Sequence, residues 1–441
     1  MRMFKLGTLK LPHRKHTAEM ESVCIPTPAT VVLPLSQHIG APATAVVKVG
    51  DKVYVGTKIA EADGKISASV HSSVSGTVKK IGDFLLSNGN SCQAITIESD
   101  GEMTTDPGIT PPTINSAEDL CLALRESGLV GLGGAGFPTS FKIEGALGKY
   151  IDKIVVNAAE CEPYITSDNR AMLDETDYII EGLKLVDKYV PGQHEIVIGI
   201  EKNKPKAIAK LTEAIKALPN ARVEVLPSTY PQGAEKTLIY NATGRIVPEG
   251  KLPFDAGCLV MNVSSVAFVA KYAKTGMPLV SKVVTVDGSA VKKPCNVVAP
   301  IGTSINDILS FAETDFEDLG KVLYGGPMMG VAAYSLEDPI FKTTNALIAF
   351  NKADTLPKKQ YPCIHCGKCI TQCPMGLDPS AFSRAMNIDD KSARAAALTE
   401  ASVLSCIDCG CCSYVCPSRR PLAENNKLAK ADLKKFQAAN K

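Results

Sequence analysis

The chain has 441 residues, which at roughly 150 residues per domain suggests about three domains and more than one buried core. With 45% apolar and 21% charged residues and a mean hydropathy of +0.05, it reads as soluble globular protein, neither disordered nor membrane-embedded. The 48 basic and 46 acidic residues leave a net charge of +2, Trp is absent and aromatics are 5%. That balance excludes the basic footprint and stacking platform that a nucleic-acid partner requires.

Cysteine is the outlier at 15, nine of them within residues 363–416 and six scattered singly before residue 300. Such clustering reads as metal binding in a reducing, cytoplasmic setting, not as disulfides. The opening Met1-Arg2-Met3-Phe4-Lys5 shows no apolar core followed by a cleavage site, so no secretory signal is expected. The longest uncharged stretch, residues 22–47, is interrupted by Pro26, Pro28, Pro34 and Pro42, and residues 256–270 include Asn262, Ser264 and Ser265. Neither offers the about 20 continuous apolar residues of a spanning helix.

In chain order, residues 1–100 are rich in Val, Ile, Thr and Gly, with turn signals at Gly50-Asp51, Asp63-Gly64, Ser75-Gly76 and Asn88-Gly89, which predicts short β-strands. Val49-Gly50-Asp51-Lys52-Val53-Tyr54-Val55-Gly56 and Val70-His71-Ser72-Ser73-Val74-Ser75-Gly76-Thr77-Val78 resemble the half-barrels of lipoyl and biotinyl carrier domains, a barrel-sandwich hybrid. The segment between them, around Lys65, lacks the Met-Lys pair of a carrier. A docking scaffold without a swinging arm is therefore expected.

Residues 101–115 carry turn formers without apolar periodicity and read as a linker. Ser116-Ala117-Glu118-Asp119 then opens a short helix to Ser127 like a capping box. Over 115–276 we expect a parallel α/β sheet, with strands at 154–156, 196–200, 222–226 and 258–262 and helices at 168–189 and 204–218. Residues 278–350 predict a small α+β domain of the β-grasp type, with a strand at 282–288 and one helix near 304–312. A linker at 352–359 leads to the cysteine-rich segment, 358–421, and residues 422–441 form a polar helical tail with its charges on a solvated face.

Cys363-Ile364-His365-Cys366-Gly367-Lys368-Cys369-Ile370-Thr371-Gln372-Cys373-Pro374 has the spacing C-x2-C-x2-C-x3-C-P, and Cys406-Ile407-Asp408-Cys409-Gly410-Cys411-Cys412-Ser413-Tyr414-Val415-Cys416-Pro417 repeats it. In this pattern three closely spaced thiolates wrap one [4Fe-4S] cluster, and the fourth ligates the cluster of the other copy. By that rule Cys363, Cys366, Cys369 and Cys416 hold one cluster, while Cys406, Cys409, Cys412 and Cys373 hold the second. Zinc is the alternative, but its tetrahedral sites use separated ligand pairs. Cys411 is left over as a small buried thiol.

Gly131-Leu132-Gly133-Gly134-Ala135-Gly136-Phe137-Pro138 satisfies G-x-G-x-x-G, whose bare amides can approach a phosphate. A dinucleotide fingerprint also needs a strand just before it, and the segment here reads as helix, which argues against a standard Rossmann site. A glycine loop that only packs is the alternative. Residues 131–142, followed by Asn157-Ala158-Ala159-Glu160-Cys161-Glu162-Pro163, Tyr230-Pro231-Gln232-Gly233-Ala234-Glu235-Lys236 and Asn262-Val263-Ser264-Ser265, are similar to the flavin-binding subunit of respiratory complex I. With the half-barrel in front and the double cysteine motif behind, the whole chain resembles the RnfC family of Rnf ion-translocating electron transport complexes.

That resemblance implies a Rossmann-like FMN domain, a β-grasp domain of the SLBB type and a helical, ferredoxin-like domain with two [4Fe-4S] clusters. It implies that Gly131, Gly133, Gly134 and Gly136 line the FMN phosphate and ribityl chain, with Lys142 near the phosphate and Asn157 at the isoalloxazine edge. Glu160 and Glu162 would border the nicotinamide side and Phe137 would offer a face to the dinucleotide. Glu235 would approach the flavin or NAD(H), and Asn262 and Ser265 would complete the pocket. Leu132, Ala159 and Lys236 stand where complex I has Arg, Asp and Thr.

The implied function is an NAD(H) module at the cytoplasmic face of a membrane complex, relaying electrons between NAD(H) and ferredoxin. Its partners would be the other subunits, with ferredoxin reached through an iron-sulfur subunit, and the Na+ or H+ path would lie outside this chain. A soluble or microcompartment cobalamin reductase is the nearest alternative. A cofactor-free scaffold is the alternative of a different class.

Overall fold

The computed structural model describes residues 9–87, 89–134 and 136–440. Met1 to Lys5, Asn88 of the expected Asn88-Gly89 turn, Ala135 of the glycine motif and Lys441 of the tail lie outside the described residues.

The half-barrel consists of two small antiparallel sheets. One carries Thr30–Pro34, Ser91–Ser99, Gly76–Leu85 and Lys52–Val53 in that order, the other Thr44–Ala45, Lys58–Glu61 and Val70–His71. Alternation places Val31, Leu33, Ile95 and Ile97 inside, each fully buried. This core is continuous with that of the following domain, through Leu120, Leu124, Leu129 and Val130. Removing the half-barrel would therefore strip one wall from a shared core.

The next domain is a four-stranded, wholly parallel sheet in the order Ala221–Leu226, Glu195–Glu201, Lys153–Ala158, Cys258–Asn262, as the alternating pattern predicts. The expected single helix over 168–189 is two, Ser167–Asp174 and Thr176–Tyr189. Glu175 leaves helical geometry at φ −122°, which lets the second helix aim Ile179, Ile180, Leu183 and Val186 inward. It packs on helix Val263–Thr275 so closely that a Cβ on Gly182 would collide with the Val266 carbonyl.

A six-stranded mixed sheet follows, ordered Ser22–Cys24, Cys295–Pro300, Ser281–Asp287, Ala346–Asn351, Leu319–Tyr324, Val331–Ala332, with helix Ile305–Phe311. Its first strand comes from the N-terminal segment, which local pattern assigns to the half-barrel. Ser22–Cys24 pairs in parallel with Cys295–Pro300 instead, and the residues before it run as a strap along the α/β domain. The expected linker at 352–359 opens with a short helix, Lys352–Thr355, capped by Asn351, whose side chain accepts from Asp354 N.

The two cysteine motifs fold alike. His365 and Asp408 occupy equivalent left-handed positions, and Gly367 and Gly410 start the short helices Lys368–Thr371 and Cys411–Tyr414. Phe382, Leu398, Val403, Ala429 and Leu433 form the core of this segment. The terminal helix Leu422–Ala439 is therefore half embedded, with Leu422, Ala423, Asn426, Ala429 and Leu433 buried beneath its charged face. Among the described residues no helix is long and apolar enough to cross a membrane.

Lys342 ties the parts together. Its fully buried ammonium donates to the carbonyls of Ser69 in the half-barrel, 2.5 Å, and Gly128 in the α/β domain, 2.8 Å. Burial pushes its pKa from 10.5 down to about 7. The folded protein therefore releases this proton before the unfolded chain does, so the penalty of the buried charge is complete below pH 7 and is relieved between about 7 and 10.5. From pH 7 to 9 the unfolding temperature of the wild type should accordingly rise relative to that of Lys342→Met. Parallel calorimetric curves for the two proteins would contradict this.

Candidate functional site

Helix Ala117–Glu126, with its Ser116–Asp119 capping box, precedes the glycine loop, and helix Thr139–Leu147 follows it. The Gly131 N–H donates to the Phe137 carbonyl at 2.9 Å and closes the loop on itself. Gly133 lies against the Asn262 side chain, so a Cβ there would collide with it, whereas a Cβ on Gly134 would meet open space. Gly136, at φ +67°, backs onto Gln37 and His38 of the half-barrel, and its carbonyl accepts from Ile39 N. One side of the loop is thus packed and the other is an exposed cradle.

Three residues hold the cradle in shape. Asn262 caps helix Val263–Thr275 by accepting from Ser264 N and Ser265 N, and its amide donates to Asp168 at 2.8 Å. The Ser265 hydroxyl accepts from Leu132 N at 3.1 Å and donates to the Val130 carbonyl. Buried Lys282 donates to the Leu132 carbonyl at 2.8 Å. At the loop's end the Phe137 ring meets Phe141 edge-on at 5.5 Å, and Lys65 of the carrier-like hairpin lies over Phe141.

Lys142 and Glu235, expected separately near a flavin, form an ion pair at 3.3 Å, with Lys142 also donating to the Val260 carbonyl. Asn157 donates to the Gly233 carbonyl at 2.8 Å, joining the end of strand Lys153–Ala158 to the 230–235 loop. Glu160 is a buried carboxylate. Its side chain is 2% exposed, accepts from Asp168 N at 2.6 Å and stands 4.0 Å from Lys15 and 3.9 Å from Lys204. Burial pushes the Glu160 carboxyl up and the Lys15 ammonium down, each partly countered by the other's charge. Glu162 accepts from Met328 N, 3.1 Å, and Met329 N, 2.8 Å, so it braces the sheet domain against the nucleotide loop.

Cys373 of the first motif and Cys406, Cys409 and Cys412 of the second line one cavity, together with Cys411. Among the described residues no three His, Cys, Asp or Glu side chains are arranged to hold one metal ion. Cys373, Cys406, Cys409 and Cys412 share the wall of that one cavity. Asn426 of the terminal helix donates to the sulfurs of Cys406, 3.7 Å, and Cys412, 3.8 Å. Cys369 and Cys416 lie together against Cys412 and Leu422, and Cys363 and Cys366 are exposed. The Tyr230 hydroxyl donates to the Cys409 carbonyl at 2.8 Å and lies 3.4 Å from Glu162. One buried side chain thereby joins the nucleotide loop to the cysteine cavity.

Local sequence assigns no role to Lys15, Lys204, Asp168 or Tyr230. Tyr230 stood in a quoted motif. Lys204 reads as the start of a helix, and nothing near Lys15 points to residues 145 positions away.

Residues 3–102 match the family described as RnfC barrel sandwich hybrid domain, residues 124–271 the Nuo51 FMN-binding domain, and residues 357–417 the 4Fe-4S dicluster domain. The C component of the proton-translocating ferredoxin:NAD(+) oxidoreductase complex of Clostridium ljungdahlii is 39% identical, over 87% of this chain and 84% of that protein. The chain belongs to the RnfC family of ion-translocating ferredoxin:NAD(+) oxidoreductase complexes.

Membership in the RnfC family rests equally on the Na(+)-translocating counterpart of Acetobacterium woodii, 40% identical over 85% of each chain, and on the Rhodobacter capsulatus protein, 35% identical over 86% and 74%. A solved NAD+-reducing [NiFe]-hydrogenase in the air-oxidized state shares the fold at 17% identity and a TM-score of 0.51, over 74% of this chain and 64% of that one.

The shared cavity generates a prediction. Cys373→Ala should abolish the signal of the cluster associated with the second motif, although residue 373 lies in the first, and should lower the bound iron from about eight to about four. Electron paramagnetic resonance with iron analysis of anaerobically reconstituted protein measures this. Full iron content in the variant would count against crossed ligation.

Proposed function

We propose that this chain is the NAD(H)-binding electron-transfer subunit of a membrane-associated complex, passing electrons between NADH and ferredoxin while other subunits translocate Na+ or H+. The observation that carries the reading is the seam at Tyr230, where the nucleotide loop and the cysteine cavity share a wall. The relatives' names supply ferredoxin and NAD+ as the redox partners. The site residues and the domain limits, 1–100, 115–276, 278–350, 358–421 and 422–441, are part of this proposal, with the strap and strand Ser22–Cys24 reassigned to the bodies they pack on. The mixed sheet crossed by helix Ile305–Phe311 suits the SLBB-type β-grasp.

The open face at Gly134 fits a bound FMN, because an exposed glycine with space above it is where a cofactor's phosphate can approach bare amides. Gly131, Gly133 and Gly136 shape that loop, Asn262 and Ser265 brace it, and Lys142, oriented by Glu235, offers a cation. Asn157 borders the flavin edge, Phe137 offers a ring face to the dinucleotide, and the loop through Glu160 and Glu162, its carboxylates turned inward, forms the nicotinamide side. A bound flavin converts between hydride transfer, two electrons at once, and the single-electron steps of iron-sulfur clusters. The protein's part is to align the nicotinamide, exclude water and hold the clusters close by.

Two [4Fe-4S] clusters fit the cysteine set, one with Cys406, Cys409, Cys412 and Cys373, the other with Cys363, Cys366, Cys369 and Cys416. The first cavity abuts the nucleotide domain, whereas Cys363 and Cys366 are exposed. The second cluster therefore faces the partner side, toward other subunits at the cytoplasmic face of the membrane. Relatives at 39% and 40% identity are named for different ions, which supports placing ion selection in those other subunits.

Gly134→Val tests the flavin site. A β-branched side chain would occupy the open face without disturbing the packed one, so flavin content should fall at least tenfold while iron content and melting temperature stay near wild type. Absorbance of the purified protein and of its released flavin measures the outcome. Full flavin occupancy in the variant would move the site elsewhere.

A further inference from the structure

The strap ahead of strand Ser22–Cys24 has no place in the cofactor sites described so far, yet it runs beside the nucleotide loop. The Tyr164 N–H donates to the His13 carbonyl at 2.9 Å, the hydroxyls of Thr17 and Thr166 meet at 2.5 Å, and the Asn169 amide donates to the Ala18 carbonyl at 2.9 Å. Further back, Tyr230 N donates to the Leu9 carbonyl at 2.8 Å, and Leu11 packs with Tyr230, Cys409 and Cys411. The strap is therefore anchored on both sides of Lys15.

Lys15 sits at the centre of the loop it crosses. Its ammonium donates to the carbonyls of Glu160, 2.8 Å, Glu162, 2.8 Å, and Ile165, 2.5 Å. An ammonium has three hydrogens, and all three are used. The loop needs such a donor because Glu160 and Tyr164 are non-glycine residues at φ +49° and +71°, a conformation that persists only where the surroundings enforce it. The side-chain oxygen Oε2 of Glu160 is buried without a hydrogen-bond partner, and the charges of Lys15 and Lys204 are what balance it.

We propose that Lys15 is a positioning residue for the nucleotide site: by gathering the carbonyls of Glu160, Glu162 and Ile165 around one ammonium, it sets the wall that NAD(H) meets. The inference rests on the NAD(H) reading above. Without the three-way donor the inward carbonyls lose their partner, the strained turn at Glu160 relaxes, and both carboxylates shift, while the flavin cradle at Gly134, on a separate loop, keeps the Ser265 and Lys282 bonds that hold Leu132.

The test uses the full-length, cofactor-loaded protein and its Lys15→Met and Lys15→Arg variants. NAD+ affinity is measured by calorimetry, NADH oxidation with ferricyanide as acceptor, and flavin and iron by analysis. In Lys15→Met the dissociation constant for NAD+ and the KM for NADH should both rise at least tenfold, with kcat, flavin and iron within about twofold of wild type. Lys15→Arg, which restores charge and donors, should return KM to within about threefold.

Unchanged NAD+ affinity in Lys15→Met overturns the proposal alone. So does a loss of flavin and iron in step with NAD+ binding that Lys15→Arg fails to restore, which would make Lys15 a general fold element. If Lys15→Met does not accumulate as folded protein, Lys15→Gln, which keeps two donors, carries the same comparison. A wild-type protein that binds no NAD+ overturns the nucleotide reading and this proposal together.

Discussion

The constraint on which the rest depends is the tight seam between the nucleotide domain and the cysteine-rich segment. An electron relay works only if its stations are held close and dry, and here the closure is made by Tyr230. Its side chain is 2% exposed, and its hydroxyl reaches both Glu162 and the Cys409 carbonyl. Burial raises its pKa far above that of an ordinary phenol, so the hydroxyl remains a hydrogen-bond donor. On the other side, Gly410 approaches the Met328 carbonyl so closely that a Cβ would stand 2.6 Å from it. The second cysteine motif therefore packs directly on the loop at 326–330, which Glu162 also grips.

Buried lysines recur as ties between domains. Lys15 gathers the 160–165 loop, Lys282 reaches from the mixed sheet to the glycine loop, and Lys342 spans the half-barrel and the α/β domain. In each case the ammonium donates to backbone carbonyls, and burial lowers its pKa. Such groups are costly to bury, and leaving their partner carbonyls unsatisfied is costly too. They consequently specify one arrangement of the domains. Arg125 adds a partly exposed tie, donating to the carbonyls of Ala62, Gly64 and Lys65 in the half-barrel's 62–65 hairpin.

The two cysteine motifs share local geometry, including the paired left-handed residues His365 and Asp408, yet differ in their surroundings. One set of sulfurs is enclosed beside the nucleotide domain and receives hydrogen bonds from Asn426, and the other includes exposed cysteines. Because potentials of iron-sulfur clusters follow exposure and hydrogen bonding to sulfur, this asymmetry gives two like motifs unlike environments.

The sequence by itself determined what depends on local spacing. Residues three apart on a tight loop can share a cluster, so the cysteine repeat is legible from spacing, and Cys373 of the first copy lines the cavity of the second. Apolar periodicity likewise yields the parallel strands around 154–156 and 258–262, and the helix before Gly131. Tertiary structure alone decided what joins distant segments: the pairing of Ser22–Cys24 with Cys295–Pro300, the break at Glu175, the Lys142–Glu235 pair, and Lys15 beneath Glu160. Periodicity reports which face of an element is buried but not what it is buried against. A lysine that fills a ring of three carbonyls carries no local mark, because that ring exists only once the chain has closed around it.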